Sequence, residues 1–261
     1  MIRSLYSGIS GMKGFQTKLD VIGNNIANVN THGFKKGRVM FQDMVSQQLQ
    51  NPIAPTDVRG GVNPQQVGTG SMIGAIDTVH TEGGSQFTGR TLDLMINGDG
   101  YFSVDQNGET FYTRAGNFYI DPAGDIVNSS GSYLLDVDGQ RMSVPEGALG
   151  ISIDKEGFVH FTMPEDADEV DPVQIAVSTF SNPDGMNKVG GSLFAQTAAS
   201  GVAVVNGGGQ GAVQSGSLEM SNVDLTDEFT EMIVAQRGFQ ANSRVITTSD
   251  EILQELVNLK R

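Results

Sequence analysis

The chain has 261 residues with 34 glycines and no cysteine, and 30 acidic residues against 16 Lys and Arg give it a formal charge of −14. The absence of cysteine excludes a disulfide framework and thiolate-bound metals. The negative charge disfavours nucleic acid and anionic lipid as partners, because binding either needs clustered cations. The glycine content favours short strands and tight turns in the middle of the chain.

Residues 1–32 show the pattern of an amphipathic helix. Apolar residues recur there in steps of three or four, at Ile2, Leu5, Ile9, Met12, Phe15, Leu19, Ile22 and Ile26. Such steps place one apolar stripe along a helix, close to heptad spacing. The segment has no continuous apolar stretch and no small-residue cleavage site, so it does not resemble a secretory signal peptide.

Asparagines gather towards the end of this predicted helix, at Asn24, Asn25 and Asn28. Asn side chains compete for backbone hydrogen bonds and favour caps and turns, so we expect the helix to end here, with Gly33 as a turn glycine. Two interpretations stay open. The three side chains make polar contacts between close-packed subunits, or the helix simply frays into a polar turn.

The middle of the chain is predicted to hold two different segments. Residues 33–70 form an extended linker or arm, since Gln, Pro and Gly are frequent and periodicity is weak. Residues 71–217 form a central β domain of short strands, barrel-like or sandwich-like. One hairpin is predicted in particular. Residues 102–105 and 110–113 show the alternating pattern of strands, and Asn107-Gly108 between them is a pair typical of tight turns.

Residues 218–261 are predicted to form a second amphipathic helix. Its apolar positions fall in steps of three, four or seven, at Leu225, Phe229, Met232, Phe239, Ile246, Leu253 and Leu256. Ser221, Asn222 and Asp224 supply N-cap chemistry, and about 35 helical residues would span roughly 50 Å. We expect the two terminal helices to pair in a coiled-coil-like seam, so the predicted fold class is α+β.

Residues that could carry chemistry are sparse. His32, His80 and His160 are scattered and show no helical ligand spacing, so no metal site and no cofactor is predicted. The acidic run 165–171 could attract a cation but lacks the spacing of an EF-hand loop, so cation binding there stays open. No nucleophile–base pair or G-x-S-x-G turn occurs, and no catalytic residue is predicted.

Three motifs resemble the bacterial flagellar rod and hook family of axial proteins. The run NNIANVNTHGFK at 24–35 resembles the family's N-terminal signature, residues 221–261 resemble its C-terminal signature, and residues 89–102 and 112–118 resemble its β-domain core. The resemblance covers nearly the whole chain. It implies a structural protein, not an enzyme, whose terminal helices line a hollow helical tube built from copies of the chain.

The same resemblance implies partners and a location. The partners are further copies of the chain, other flagellar axial proteins of the rod, hook cap and hook–filament junction, and the flagellar type III export apparatus. The implied location is the flagellum, in the hook or the basal body. Export would proceed without a cleaved signal peptide.

Within this family the sequence signals conflict. The length of the 41–70 segment resembles the distal rod protein, a straight drive shaft, whereas TGRTLD at 88–93 and the C-terminal motif resemble hook protein. The chain has no room for an additional outer domain, as in short-form hook proteins. A curved hook that acts as a universal joint is therefore the favoured prediction, and the distal rod is the alternative. A monomeric β-domain binding module is the remote alternative if the resemblance misleads.

The residues predicted to pack subunits together lie on both terminal helices. They are apolar stripe positions and the clustered asparagines, namely Leu5, Ile9, Met12, Leu19, Asn24, Asn25, Asn28, Phe229, Met232, Phe239, Ile246 and Leu253.

Overall fold

The computed structural model describes residues 2–55, 60–61, 63–145, 147–163, 171–207 and 211–259. The chain divides into two compact units. The first, called here the helical unit, takes residues 1–26, 37–78 and 224–261. The second, called the β unit, takes residues 27–36 and 79–223.

Two long α-helices belong to the helical unit, α1 (Ile2–Ala27) and α2 (Leu225–Asn258). At 1.5 Å per residue the 34 residues of α2 span about 51 Å. Its N-cap is Asp224, whose carboxylate accepts a hydrogen bond from the backbone N–H of Thr226 at 2.8 Å. Neither helix is long and apolar enough, among the residues described, to cross a membrane.

An antiparallel arm of four strands completes the helical unit. The strands are β1 (Gly37–Asp43), β2 (Ser46–Gln50), β3 (Gln65–Gly68) and β4 (Ser71–Thr78). β1 pairs with β4 from Gly37 opposite Thr78 to Asp43 opposite Ser71, and β2 pairs with β3. The arm therefore continues past residue 70, where the sequence predicted that it ends.

The β unit consists of short antiparallel strands. Those described are β5 (Ser85–Phe87), β6 (Leu94–Asn97), β7 (Tyr101–Gln106), β8 (Glu109–Thr113), β9 (Phe118–Ile120), β10 (Ile126–Asn128), β11 (Tyr133–Leu134), β12 (Gly150–Ile153), β13 (Phe158–Thr162), β14 (Val173–Gln174), β15 (Val177–Thr179), β16 (Asn187–Gly190), β17 (Leu193–Ala195), β18 (Val204–Val205), β19 (Ala212–Ser215) and β20 (Ser217–Glu219). A single 3₁₀ turn, Pro183–Gly185, lies among the described residues.

The largest sheet of the β unit runs in the order β16-β17-β8-β7-β11-β10-β9, with β15 paired to β7 and β18 paired to β15. Smaller sheets are β12-β13-β14, β6-β19 and β5-β20. The α+β class with terminal helices and a β-rich middle is thus confirmed. Among the described strands no closed barrel forms.

Apolar side chains from these sheets form the core of the β unit. Phe102, Val104 and Phe118 are fully buried, and the rings of Phe102 and Phe118 meet at 90° with their centroids 5.5 Å apart. Burying each such side chain contributes about 1.5–3 kcal/mol to folding. The predicted hairpin is confirmed between β7 and β8, where Asn107 and Gly108 both have positive φ, as a tight two-residue turn requires.

Candidate functional site

The two terminal helices pack against each other in antiparallel orientation. Gly8 of α1 lies against Ile246 of α2, and Phe15, further along α1, lies against Gly238, which comes earlier in α2. A Cβ atom added at Gly238 would stand 2.6 Å from the Phe15 Cζ atom, and one added at Gly8 would stand 3.3 Å from Ile246 Cγ1. The missing side chains therefore allow the helices to approach closely.

A buried amide joins the end of α1 to the start of α2. Asn25 is 2% exposed, and its Nδ2 donates to the Gly37 carbonyl at 2.9 Å and to Glu228 Oε2 at 3.2 Å. Its Oδ1 accepts from the Gly37 N–H at 2.9 Å. The contact of Asn25 with another subunit stays a prediction, and the buried side chain has almost no exposed surface for such a contact.

The other two asparagines lie where α1 ends. Asn24 is exposed in the last turn, and Asn28 follows the helix, with its Oδ1 accepting a hydrogen bond from Thr31 Oγ1 at 3.1 Å. Gly33 has a φ of 67°, and a Cβ there would stand 2.5 Å from the backbone nitrogen of Ala115. The helix end and the turn glycine are confirmed, whereas the roles of Asn24 and Asn28 between subunits stay predictions.

The helix pair leaves much of the predicted apolar stripes uncovered. Six of the predicted packing residues are half-buried: Leu5, Met12, Leu19, Met232, Ile246 and Leu253. Ile9, Phe229 and Phe239 are 39%, 50% and 36% exposed. The role of all nine in contacts between subunits stays a prediction, and each keeps part of its side-chain surface exposed within its own chain.

A second apolar stripe runs along α2, and sequence analysis missed it except for Leu256, which it assigned to the predicted stripe. Val234, Val245, Ile252 and Leu256 are 58%, 42%, 48% and 49% exposed. They follow one another at intervals of 11, 7 and 4 residues, which keeps them on one helical face. α2 therefore exposes apolar residues on this face in addition to its predicted stripe. The spacing of these residues is visible in the sequence, but sequence analysis considered only one apolar face of this helix.

The arm exposes apolar side chains of its own. Those exposed by more than a third are Met40, Phe41, Met44, Val45, Leu49, Ile53, Val67, Met72 and Ile76. Its base packs on α1, where the Phe41 and Phe15 ring centroids are 5.7 Å apart. Every residue of β2 and β3 is exposed. Strands this exposed on both faces need another surface to bury their apolar side chains.

The β unit contains a buried ion cluster that sequence analysis also missed. The side chains of Lys35 and Glu219 are fully buried, with Lys35 Nζ 2.5 Å from Glu219 Oε1. Arg114 Nη1 lies 3.4 Å from the other oxygen, Glu219 Oε2, and donates to the Ile96 carbonyl at 3.2 Å. Burial lowers the pKa of Lys35, and the Glu219 carboxylate opposes this shift.

The same cluster ties together three separate segments of the β unit. Lys35 Nζ donates to the Thr81 carbonyl at 2.8 Å, and Gly83 N–H donates to Glu219 Oε1 at 3.0 Å. Asn222 adds to this, since its Oδ1 accepts from the Lys36 N–H and its Nδ2 donates to the Val79 carbonyl, both at 2.8 Å. Residues 33–36, 79–83 and 219–222 are therefore held by shared polar contacts.

His80 lies in an aromatic cluster next to these segments. Its Nδ1 is 2.6 Å from the hydroxyl of Tyr101, and its ring centroid is 5.7 Å from that of Phe194. Burial lowers the pKa of His80 to about 4, against the opposing effect of Asp184. The neutral imidazole is therefore the form that fits this site near neutral pH.

No group of three or more His, Asp or Glu side chains suited to holding a metal ion occurs among the residues described. Residues 165–170 of the predicted acidic run lie outside the described residues. The features that stand out are instead apolar surfaces of the helical unit and structural ion pairs of the β unit.

Three protein-family descriptions match the chain in order. Residues 5–35 match "Flagella basal body rod protein", residues 95–161 match "Flagellar hook protein FlgE/F/G D1 domain", and residues 214–259 match "Flagellar basal body rod FlgEFG protein C-terminal". The N- and C-terminal matches contain most of α1 and all of α2.

Whole-length relatives agree with these matches. The flagellar basal-body rod protein FlgG of Bacillus subtilis is 57% identical over 265 aligned residues, with all of both chains covered. FlgG of Borreliella burgdorferi is 38% identical over 269 residues, again with both chains fully covered. The flagellar hook protein FlgE of the same organism is 29% identical over 441 residues. The chain therefore belongs to the FlgE/F/G family of flagellar rod and hook proteins.

Proposed function

We propose that this chain is a subunit of the flagellar basal-body rod. Sequence analysis gave the rod as the alternative to its favoured prediction, the hook. One observation carries the proposal: rod relatives align over 265 and 269 residues, nearly the length of this chain, at 57% and 38% identity. Hook relatives align over 441 and 463 residues at 29% and 28% identity, so they contain long stretches that this chain lacks. The favoured hook assignment is not confirmed.

The helical unit supports a role in self-assembly. α2 exposes Val245 and Ile252 on one face and Phe229 on another, and the arm exposes Leu49 and Val67. Monomeric proteins rarely expose so much apolar surface unless a partner covers it. We infer that copies of the chain cover these surfaces for one another in an open helical polymer, which arises from head-to-tail contacts that do not close into a ring.

In this proposal the terminal helices form the inner layer of a hollow tube and transmit torque along its length. The residues predicted to pack subunits, together with the second stripe of α2, would lie in contacts between copies. Other axial proteins of the rod and hook would bind at its ends. The chain would reach the flagellum through the type III export apparatus, without a cleaved signal peptide.

Electron microscopy of the purified full-length protein, incubated with short seeds of its own polymer, tests this function. Straight tubes are the expected result. Curved tubes would instead indicate that the chain is a hook protein, because a universal joint must bend while it turns. Absence of any polymer across a range of protein and salt concentrations would overturn self-assembly altogether and favour a monomeric binding module.

A further inference from the structure

One turn in the β unit presents side chains that its own fold covers only in part. β5 ends at Phe87, which is 80% exposed. Three residues later, Arg90 Nη1 lies 3.5 Å from Asp93 Oδ1 of the same chain, yet 40% of the Arg90 side chain remains exposed. The Arg90 Cζ atom lies 4.5 Å from the ring centroid of Tyr119, which is 44% exposed. Phe87, Arg90 and Tyr119 are called here the Phe87 surface. It contains Arg90 of the TGRTLD motif, to which the proposed function gives no role.

Backbone hydrogen bonds hold this turn in one conformation. The N–H groups of Thr88 and Gly89 donate to the Gly216 carbonyl at 2.9 and 3.1 Å. The Asp93 N–H donates to the Arg90 carbonyl at 3.0 Å, and the Gly216 N–H donates to the Asp93 carbonyl at 2.8 Å. A partner that binds here meets side chains on an ordered backbone, which reduces the conformational entropy lost on binding.

The residue types of the Phe87 surface are those that dominate protein–protein contacts. Aromatic side chains and Arg carry most of the binding energy where interfaces have been scanned with alanine. Tyr119 lies on β9, which is the last strand at its end of the large sheet among the strands described. Phe87 and Tyr119 leave apolar ring surface exposed that a partner can bury.

Charge indicates what that other surface is. Within the ranges of the β unit, the sequence has seven Lys and Arg against nineteen Asp and Glu, a net charge of −12. Two of the seven cations, Lys35 and Arg114, are buried in the ion cluster. A second copy therefore offers a surface rich in carboxylates, which complements the Arg90 guanidinium.

We propose that the Phe87 surface docks on the acidic β unit of a second copy of this chain. Phe87 and Tyr119 lose apolar surface to the neighbouring copy, and Arg90 pairs with one of its carboxylates. Since donor and acceptor surfaces differ, the contact is head-to-tail and can repeat along a polymer. This inference rests on the proposed self-assembly and identifies a contact outside the terminal helices.

Seeded assembly of full-length variants provides the first test. Phe87→Ser and Arg90→Glu each remove one part of the surface. Arg141→Glu is the matched charge control, because Arg141 also lies over a tyrosine ring, that of Tyr133, at 4.1 Å. Leu149→Ser, at a residue that is 75% exposed, is the matched apolar control. The readout is the protein concentration above which polymer pellets.

We expect this concentration to rise at least tenfold for Phe87→Ser and Arg90→Glu and less than twofold for both controls. Wild-type behaviour of both test variants would overturn the inference. An effect of Phe87→Ser alone would also overturn it as stated, because the partner would then not be recognised through its carboxylates. Circular dichroism of each monomer verifies that the substitutions leave the fold intact.

A photo-crosslinker separates failure of this contact from failure of the proposed function. Benzoylphenylalanine in place of Phe87 should give a covalent dimer whose second attachment point lies beside Asp or Glu of the β unit, whereas the same group in place of Leu149 should not. Polymer without this dimer would overturn the contact and keep the rod function. Dimer without polymer would keep the contact and overturn the function.

Discussion

Gly238 has no side chain at the point where the Phe15 ring packs against α2. Glycine inside a helix is normally about 1 kcal/mol less favourable than alanine. Here the added methyl carbon would stand 2.6 Å from Phe15 Cζ, too close for van der Waals contact. Gly23 in α1 is a matched control, since a Cβ there would have no heavy atom within 4 Å.

We therefore expect the two Gly→Ala substitutions to act in opposite directions. Gly238→Ala should lower the free energy of unfolding of the helical unit by about 1–3 kcal/mol, the usual cost of overpacking. Gly23→Ala should raise it by up to about 1 kcal/mol. Thermal melting followed by circular dichroism at 222 nm measures both. Equal stabilisation by the two substitutions would show that the helices do not pack closely at Gly238.

Glu219 should be the most sensitive member of the buried ion cluster. Glu219→Gln removes the carboxylate that pairs with both Lys35 and Arg114 and leaves two cations buried, which costs about 3–5 kcal/mol of stability. Lys35→Met should cost less, because Glu219 keeps Arg114. Glu231→Gln is the control: its side chain is 58% exposed in its pair with Lys18, so a change below about 1 kcal/mol is expected. Urea denaturation ranks the three, and an equal effect of all would contradict the cluster's role.

His80 should make the β unit sensitive to acid. Its pKa is lowered to about 4 in the fold from 6.5 when unfolded, so the unfolded chain binds more protons between these values. The stabilisation is complete above pH 6.5 and is lost as the pH falls towards 4, by roughly 3 kcal/mol. The side chains that act on the imidazole charge are Asp184, which favours it, and Lys35, Lys188 and Arg114, which oppose it.

His80→Gln isolates this contribution, since glutamine can still hydrogen-bond to the Tyr101 hydroxyl but does not titrate in this range. The difference in free energy of unfolding between wild type and variant should grow from pH 4 to pH 6.5 and then stay constant. Urea denaturation at half-unit pH intervals measures it. A difference that does not vary with pH would mean that His80 titrates normally in the folded protein.

At the residue scale, only features that a local sequence pattern encodes could be predicted. Asn107-Gly108 gave the right turn, because the positive φ angles of such a turn select those residue types. Lys35 and Glu219 are 184 positions apart, so no local spacing marks them as a pair. The buried position of Asn25 could not be predicted either, because it depends on hydrogen bonds with Gly37, 12 positions away, and with Glu228, 203 positions away.

At the scale of elements, the terminal helices were predictable because apolar periodicity and cap residues agree along each segment. The arm was only partly predictable. β2 and β3 are exposed throughout, so no alternation of buried and exposed residues marks them in the sequence. Their pairing, and that of β1 with β4, joins residues separated by up to 41 positions.

The two faces of α2 should respond differently to a buried charge. Ala235 is fully buried, so Ala235→Asp should unfold the helix pair, with loss of ellipticity at 222 nm in the monomer. Val245 is 42% exposed on the second stripe, so Val245→Asp should keep the monomer's helix content and abolish seeded polymer. Normal polymer from Val245→Asp would exclude the second stripe from contacts between copies.

At the scale of the whole molecule, charge and apolar surface are divided between the two units. The helical unit's ranges hold nine Lys and Arg against eleven Asp and Glu, a net charge of −2, compared with −12 for the β unit. Repulsion between copies is therefore weakest for the unit that exposes the apolar stripes. This division favours assembly through the helical unit, with contacts of the β unit restricted to complementary surfaces such as the Phe87 surface.

Shortening the arm is the experiment that best distinguishes a rod protein from a hook protein. Thr69 Oγ1 donates to the Val45 carbonyl at 2.7 Å, so residues 46–68 can be removed and the two ends bridged by Asn-Gly without disturbing β1 and β4. In a rod, the removed strands would supply contacts that keep the tube straight, so the shortened protein should assemble into curved tubes. In a hook, shortening would leave the existing curvature unchanged.

A second variant distinguishes the arm's apolar contacts from its length. Ser in place of Val45, Leu49, Ile53 and Val67 keeps every residue of the arm but removes four side chains that are 85%, 60%, 49% and 42% exposed. We expect tubes of this variant to curve as the shortened protein's do, because apolar burial between copies supplies the stiffness. Electron microscopy of seeded polymers measures curvature for both. Straight tubes from both variants would show that the terminal helices alone set the shape of the polymer.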